Sequence, residues 1–172
     1  SQLTMLPLTQ LTEDEQMLKE ATADFAQSSI APLIQKMDEQ AKLEQSVIDE
    51  CFEMGLMGVE IPEKYEGAGG TFMMSIVSIE QLSRVDASVG VFMDVQNTLV
   101  NNAFLNFGSD DIQTKYLTQL ATKKVGAYCL SEASSGSDAF ALKATAKLDG
   151  NHYILNGAKL WITNANEADI FI

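Results

Sequence analysis

The hydrophobic period of this sequence changes once along the chain, and that change decides what the chain can fold into. Residues 12–122 repeat apolar side chains at helical spacing. Residues 125–172 instead contain short apolar runs separated by Asp149-Gly150 and Asn156-Gly157, two dipeptides that are typical of β-hairpins. We therefore expect an α+β chain, with an all-helical domain over residues 1–124 and the start of an antiparallel β-domain after it.

Capping residues mark the ends of the predicted helices. Thr12 and Glu15 have the spacing of a capping box, and Ser109 can cap a last helix. Pro32 suits a first turn, and Gly55 suits a left-handed C-terminal position. Two segments, residues 72–85 and 87–107, are apolar around most of their circumference, which predicts helices buried between other helices.

The predicted strands are residues 125–130, 142–148, 152–155 and 158–163. So few short strands cannot cover a sheet face alone, which predicts that only the first part of a β-domain is present. The last residues form a further strand-like apolar run without a closing turn. We therefore expect this chain to be a fragment of a larger protein.

Charge and cysteine usage exclude several classes of function. The chain has 11 Lys and Arg against 24 Asp and Glu, a net charge of −13. Binding to nucleic acid needs a basic face, so we expect none. No apolar run approaches the roughly 20 residues that span a bilayer. Cys51 and Cys129 lack any metal or disulfide spacing, and we expect buried free thiols and no metal site.

The turn over residues 128–138 concentrates the polar chemistry of the chain. Gly136 would let a ligand approach the backbone, and Ser131 and Ser137 add hydroxyl groups. A serine hydrolase would need a base, and the single histidine, His152, falls in a predicted strand where we expect it to be exposed. The glycine-rich run at residues 67–70 lacks the spacing of a phosphate loop and predicts a surface turn.

A second candidate segment contains the single tryptophan of the chain. Trp161 and Thr163 fall on the same face of a predicted strand, so an aromatic ring and a hydroxyl could flank a planar heterocycle. A core tryptophan that packs the sheet against the helices explains the same residues equally well.

Both segments resemble the flavin and acyl-CoA motifs of the acyl-CoA dehydrogenases. The first motif contains Cys129-Leu130-Ser131-Glu132, Gly136-Ser137-Asp138 and Ala141, and the second is Asn156-Gly157-Ala158-Lys159-Leu160-Trp161-Ile162-Thr163. The similarity extends over nearly the whole chain. Residues 94–99 and 130–133 look most like members of this family that act on short or branched acyl chains.

The resemblance implies an N-terminal helical domain, a middle β-domain and a C-terminal helical domain that is missing from these residues, with FAD between the last two and a homotetramer overall. Ser131 would bind the pyrimidine side of the isoalloxazine, Thr163 would lie near flavin N5, and Ser137 would also contact the pantetheine arm of the substrate. The implied FAD-binding residues are Tyr128, Leu130, Ser131, Gly136, Ser137, Trp161, Ile162 and Thr163. No catalytic residue is expected in this chain, because the general base of the family is a Glu of the C-terminal domain.

The implied activity is FAD-dependent α,β-dehydrogenation of short or 2-methyl-branched acyl-CoA thioesters, with electrons passed to an electron-transfer flavoprotein. The resemblance places such a protein in the mitochondrial matrix of a eukaryote, or otherwise in the cytoplasm. Two alternatives stay open: an acyl-CoA oxidase, and a non-catalytic acyl-CoA-binding or assembly module on the same fold. Ser134-Ser135 replaces the Gly-Ala of many members, and a positive φ at Ser134 would cost about 1 kcal/mol.

Overall fold

The computed structural model describes Pro7 and residues 9–172. Residues 1–6 and 8 of the predicted helical domain lie outside this range. The helices are α1 (Glu13–Phe25), α2 (Ile34–Gln40), α3 (Gln45–Glu53), α4 (Phe72–Ser83), α5 (Ala87–Asp94), α6 (Asn102–Phe107) and α7 (Asp110–Thr122). No helix in the described part of the chain is long and apolar enough to cross a membrane.

The predicted helix ends are confirmed by their capping hydrogen bonds. The Glu15 amide donates to Thr12 Oγ1 at 3.2 Å, and the Thr12 amide donates to Glu15 Oε2 at 2.9 Å. Ser109 accepts a hydrogen bond from the third residue of α7, and Gly55 follows α3 with a φ of 72°. Pro32 lies in a short 3₁₀ turn, Ala31–Leu33, that leads into α2.

Two π-helical segments, Ala26–Ile30 and Val95–Asn101, interrupt the helical pattern. The second joins α5 to α6, so residues 87–107 form one continuous helical rod as expected. Its Gln96 and Asn97 side chains are buried, and the Asn97 amide group donates to the Leu56 carbonyl at 2.7 Å. Buried amides on this segment thus satisfy backbone groups of the neighbouring 3₁₀ turn, Leu56–Gly58.

Among the residues that the structure describes, the hydrophobic core consists of two clusters. The first is built around Phe25, Leu56 and Phe92, and the second around Leu117 and Leu120. The second cluster also contains Ile170 from the β-part of the chain, with Tyr128 packed against it. Residues near both ends of the β-part therefore pack directly on the helices.

The α5–α6 rod is not buried all round, contrary to the expectation. Val91 and Leu99 are 46% and 40% exposed, and Phe107 is 89% exposed. The remaining apolar positions of the rod, such as Phe92 and Val100, fill the core. The rod therefore packs into the core with part of its surface and leaves these three apolar side chains exposed.

The strands are β1 (Gly126–Ala127), β2 (Thr145–Asp149), β3 (His152–Asn156) and β4 (Ile170–Phe171). Strands β2 and β3 form an antiparallel hairpin in which Asp149 pairs with His152. Gly150 in its two-residue turn has a φ of 62°. The hairpin predicted from Asp149-Gly150 is confirmed, because glycine supplies the positive φ that such a turn requires.

The rest of the β-part differs from the predicted meander. Strands β1 and β4 pair in parallel, so this pair cannot be joined by a tight turn. The predicted strand at residues 158–163 and the predicted hairpin at Asn156-Gly157 are wrong. Gly157 packs against Ala144, where a Cβ would lie 2.5 Å from the Ala144 Cβ, and Trp161 has a φ of 58°. This backbone turns repeatedly and cannot run as a strand.

Candidate functional site

The turn at residues 128–138 leaves strand β1 and is closed by its own backbone. The Cys129 amide donates to the Ile172 carbonyl at 2.6 Å, which prolongs the contact with β4. Glu132 and Ser135 then exchange backbone hydrogen bonds of 2.9 and 3.0 Å. The turn therefore has one defined shape at the end of a strand that is anchored on the helices.

The far side of this turn is held by Ser135 and Asp138. Buried Ser135 donates through Oγ to the Asp138 carbonyl at 2.8 Å, and Asp138 Oδ1 accepts from the Phe140 amide at 3.1 Å. Ser134 has no positive φ, so the strain considered for it does not arise. Gly136 and Ser137 are exposed, and a Cβ on Gly136 would meet nothing within 4 Å. The fold itself therefore does not require glycine at position 136.

The Glu132 carboxylate holds the base of the turn, and the sequence reasoning missed this role. Its Oε2 accepts from the Lys143 amide at 2.6 Å and its Oε1 from the Ala144 amide at 3.1 Å. The Lys159 ammonium lies 2.8 Å from Oε1. Lys159, followed by the Lys143 amide, lowers the pKa of the Glu132 carboxyl below its usual value. Glu132 is therefore a charged clamp: its two carboxylate oxygens accept hydrogen bonds from residues 143 and 144, and one of them also pairs with Lys159.

Lys159 and Leu160 bring the two motifs together. Lys159 Nζ also donates to the Leu130 carbonyl at 3.1 Å, and the Leu160 amide donates to the Ser131 carbonyl at 2.8 Å. The second motif therefore crosses the first directly at Leu130 and Ser131. The sequence shows Glu132 in one motif and Lys159 in the other. Because these residues are 27 positions apart, the sequence alone does not predict that they form an ion pair.

Beyond this crossing, the indole of Trp161 is 93% exposed. The alternative of a core tryptophan is therefore wrong for the part of the chain that the structure describes, since no helix there covers the ring. Ile162 and Thr163 are half-buried, and the next residue, Asn164, is buried with a φ of 67°. Asn164 was also missed, because a polar residue in a predicted loop carries no sequence signal of burial.

The polar groups of the site suit a planar, polar-edged ligand. Within the described part of the chain, the hydroxyls of Ser131, Ser137 and Thr163 make no hydrogen bond, although neighbouring Ser134 and Ser135 use theirs. Unused hydroxyls, open backbone at Gly136 and an exposed indole are the donor set and flat surface that a flavin ring and its diphosphate need. The residues present therefore fit FAD.

Other chemistries find no support among the described residues. His152 lies on the exposed strand β3, and no serine hydroxyl donates to it or accepts from it. No group of three potential metal ligands occurs in the described residues. In the run at residues 67–70, the amides of Ala68, Gly69 and Gly70 donate to carbonyls of residues 58–61, so they are not free for a phosphate.

The two cysteines occupy different environments. Cys51 is fully buried as expected, and burial raises the pKa of its thiol to about 12. Cys129 is only half-buried, contrary to the expectation, because it lines an open cavity of about 390 Å³ with Gly157, Lys159 and Ile172. Burial still raises the pKa of Cys129, and Lys159 partly opposes that effect.

Comparison with known proteins agrees with the fold. Residues 12–124 match the family model of the acyl-CoA dehydrogenase N-terminal domain, and residues 127–172 match that of the middle domain. The boundary between the two matches falls beside strand β1. It therefore coincides with the change from helical to strand structure.

Two relatives are described as short/branched chain specific acyl-CoA dehydrogenases. The mitochondrial protein of Rattus norvegicus is 45% identical over 99% of this chain and 39% of its own length. A probable member from Dictyostelium discoideum is 49% identical over 96% of this chain and 40% of its own length. The chain thus spans about two fifths of these relatives.

Among solved structures, a glutaryl-CoA dehydrogenase from Mycobacterium smegmatis in complex with FADH2 superimposes with a TM-score of 0.87. The match has 28% sequence identity and covers 94% of this chain and 42% of that one.

Proposed function

Because this chain belongs to the acyl-CoA dehydrogenase family, we propose that its protein is an FAD-dependent dehydrogenase of short or 2-methyl-branched acyl-CoA thioesters. The observation that carries the proposal is the crossing of the two motifs, where the Leu160 amide donates to the Ser131 carbonyl at 2.8 Å. This contact puts unused hydroxyls and the exposed indole of Trp161 on neighbouring backbone segments. The short or branched substrate class is supported by the descriptions of the two relatives.

In this proposal the residues of the chain bind and orient. The hydroxyls of Ser131 and Thr163 would hold the polar edge of the flavin, together with backbone at Tyr128 and Leu130, and the Trp161-Ile162 pair would lie beside the ring system. Exposed Gly136 and Ser137 would face the flavin diphosphate, and Ser137 the pantetheine arm. Bound FAD would supply hydride acceptance and two-electron redox chemistry.

None of these residues is assigned as the base that removes the α-proton of the substrate. Glu132 is a buried carboxylate within the first motif, but Lys159 and two backbone amides form hydrogen bonds with its oxygens. Its lowered pKa makes it a weak proton acceptor near neutral pH. In this proposal the base would be a Glu of the C-terminal domain, as the resemblance to the family implies.

The proposal extends to partners and location. Electrons would pass to an electron-transfer flavoprotein, and the active form would be a homotetramer. In a eukaryote the protein would act in the mitochondrial matrix, as the description of the rat relative suggests. In a bacterium it would act in the cytoplasm.

Turnover by the full-length protein tests this function. The purified protein is assayed with a 2-methyl-branched and a straight short acyl-CoA, once with an artificial electron acceptor and once with oxygen alone. We expect fast turnover only with the acceptor. Comparable rates with oxygen alone would make the protein an oxidase, and a colourless, inactive protein that still binds acyl-CoA would make it a binding module.

A further inference from the structure

The side chain of Asn164 joins three separate parts of the chain. Its Nδ2 donates to the Phe92 carbonyl in α5 at 3.1 Å and to the Gly126 carbonyl in β1 at 3.2 Å. Asn164 itself is 8% exposed and directly follows Thr163. One carboxamide therefore ties the Thr163 segment to a helix and to the strand that leads into the first motif.

The backbone of Gly126 is held through its amide as well as through its carbonyl. The Gly126 amide donates to Gln96 Oε1 at 2.7 Å, and Gln96 Nε2 donates to the Leu120 and Lys124 carbonyls at 3.0 and 3.1 Å. A Cβ on Gly126 would lie 2.5 Å from Val100 Cγ1, so the strand lies directly against the π-helical segment. The buried side-chain amides of Gln96 and Asn164 thus hold strand β1, and its close contact with Val100 leaves it little room to shift.

The backbone at Asn164 explains why asparagine suits this position. Its φ of 67° is a left-handed conformation, which asparagine and glycine adopt more readily than other residues. Glycine would keep the backbone and lose both hydrogen bonds. Aspartate would keep the shape but place a carboxylate against two carbonyl oxygens.

From this geometry we infer that Asn164 is a positioning residue that sets the Thr163 segment relative to strand β1. Since Tyr128 follows β1 by one residue, the same side chain fixes the spacing between the two proposed flavin-binding segments. Gln96 supports it by holding the amide of Gly126. The inference rests on the proposed FAD site.

The test compares Asn164→Gly with Asn166→Gly in the full-length protein. Asn166 is an exposed residue of the same segment and makes no hydrogen bond in the described part of the chain, which makes it a matched control. Loss of two buried hydrogen bonds predicts roughly tenfold weaker FAD binding for N164G and no change for N166G. With FAD at saturation, the flavin midpoint potential of N164G should also differ from that of the wild type.

If Asn164 only stabilises the fold, N164G should have a lower melting temperature, but the flavin midpoint potential of the FAD-saturated protein should equal that of the wild type. That result would overturn the inference.

If N164G fails to fold, Asn164→Asp is used. When the aspartate of N164D is protonated, its carboxyl group can donate one hydrogen bond. The FAD affinity of N164D relative to that of the wild type should therefore rise as pH falls. A relative affinity that does not rise would also overturn the inference. Wild-type protein that binds no FAD would refute the proposed function as well.

Discussion

At the scale of single residues, the Glu132 carboxylate connects three parts of the chain that are distant in sequence. It accepts from the amides of Lys143 and Ala144 and pairs with Lys159. The sequence predicts that Ser131 and Ser137 lie in a ligand-binding turn, but it does not show the ion pair and hydrogen bonds of Glu132 that hold this turn. Such a clamp depends on tertiary contacts, which residue spacing does not encode.

Glu132→Gln should make the free energy of unfolding less dependent on pH in the acidic range. The folded pKa of Glu132 is lowered, so its stabilisation is fully present above the unfolded pKa, about 4.3, and is lost as pH falls through the folded value. Urea unfolding of the full-length protein across this pH range measures the effect. We expect a smaller acid-induced loss in E132Q than in wild type.

Glu53→Gln serves as the control for this measurement, because Glu53 is exposed at the end of α3 and makes no ion pair among the described residues. E53Q should follow the wild-type pH profile. The clamp would be refuted by an E132Q profile that coincides with that of wild type.

Ser131→Ala and Thr163→Ala should each weaken FAD binding by about 1 kcal/mol, the usual net value of one hydrogen bond. Ser134→Ala is the control, because Ser134 lies on the same turn but its hydroxyl already donates a hydrogen bond to the Ala141 carbonyl. FAD affinity is measured by fluorescence titration of the apoprotein. Unchanged affinity in both S131A and T163A would remove these residues from the proposed site.

At the scale of elements, two glycines of the β-part serve different purposes. Gly126 lets strand β1 lie against the π-helical segment at Val100, whereas nothing within 4 Å of Gly136 would meet a Cβ. Gly126→Ala should destabilise the full-length protein by about 1–3 kcal/mol, as overpacking of a core does. Gly136→Ala should leave stability unchanged and weaken ligand binding instead.

Chemical denaturation and FAD titration of both variants separate these effects. A stable G126A protein would show that β1 does not need its close approach to the helix. Wild-type affinity of G136A for both FAD and acyl-CoA would show that no ligand approaches the backbone at Gly136.

Local signals predicted the helices well and the β-part only in places. Thr12 and Ser109 were identifiable as caps, because capping is a contact between residues three apart. The π-helical segment at residues 95–101 was not, since buried amides that bond to distant carbonyls stabilise it. Residues 158–163 are a short, largely apolar run like a strand, yet the Leu160 amide donates to the Ser131 carbonyl and the preceding Gly157 packs against Ala144, contacts that residue spacing does not show.

At the scale of the whole molecule, the hairpin β2–β3 stands away from both core clusters. Leu148, Tyr153 and Leu155 are 66%, 68% and 77% exposed, and Phe140 is 99% exposed. Large exposed apolar areas mark interaction surfaces in soluble proteins, and an isolated hairpin is only marginally stable in water. The chain spans about two fifths of its relatives, so we expect the remaining residues of the full-length protein to cover this surface.

The isolated 172-residue chain should therefore bind a hydrophobic dye and self-associate through this surface, while the full-length protein should bind no dye and form no assembly beyond the proposed homotetramer. Dye fluorescence and analytical ultracentrifugation of the two proteins measure this directly. Leu155→Lys in the isolated chain should reduce both dye binding and association. A monomeric isolated chain without dye binding would contradict the expectation.

Anaerobic spectroscopy of the full-length protein tests the proposed function most directly. The protein is saturated with FAD, and a 2-methyl-branched acyl-CoA is added in the absence of any electron acceptor. The proposal predicts that the visible flavin absorbance bleaches, because bound FAD would supply the hydride acceptor for substrate oxidation. A flavin spectrum that stays oxidised with both branched and straight short acyl-CoA, or a protein that retains no FAD, would contradict it.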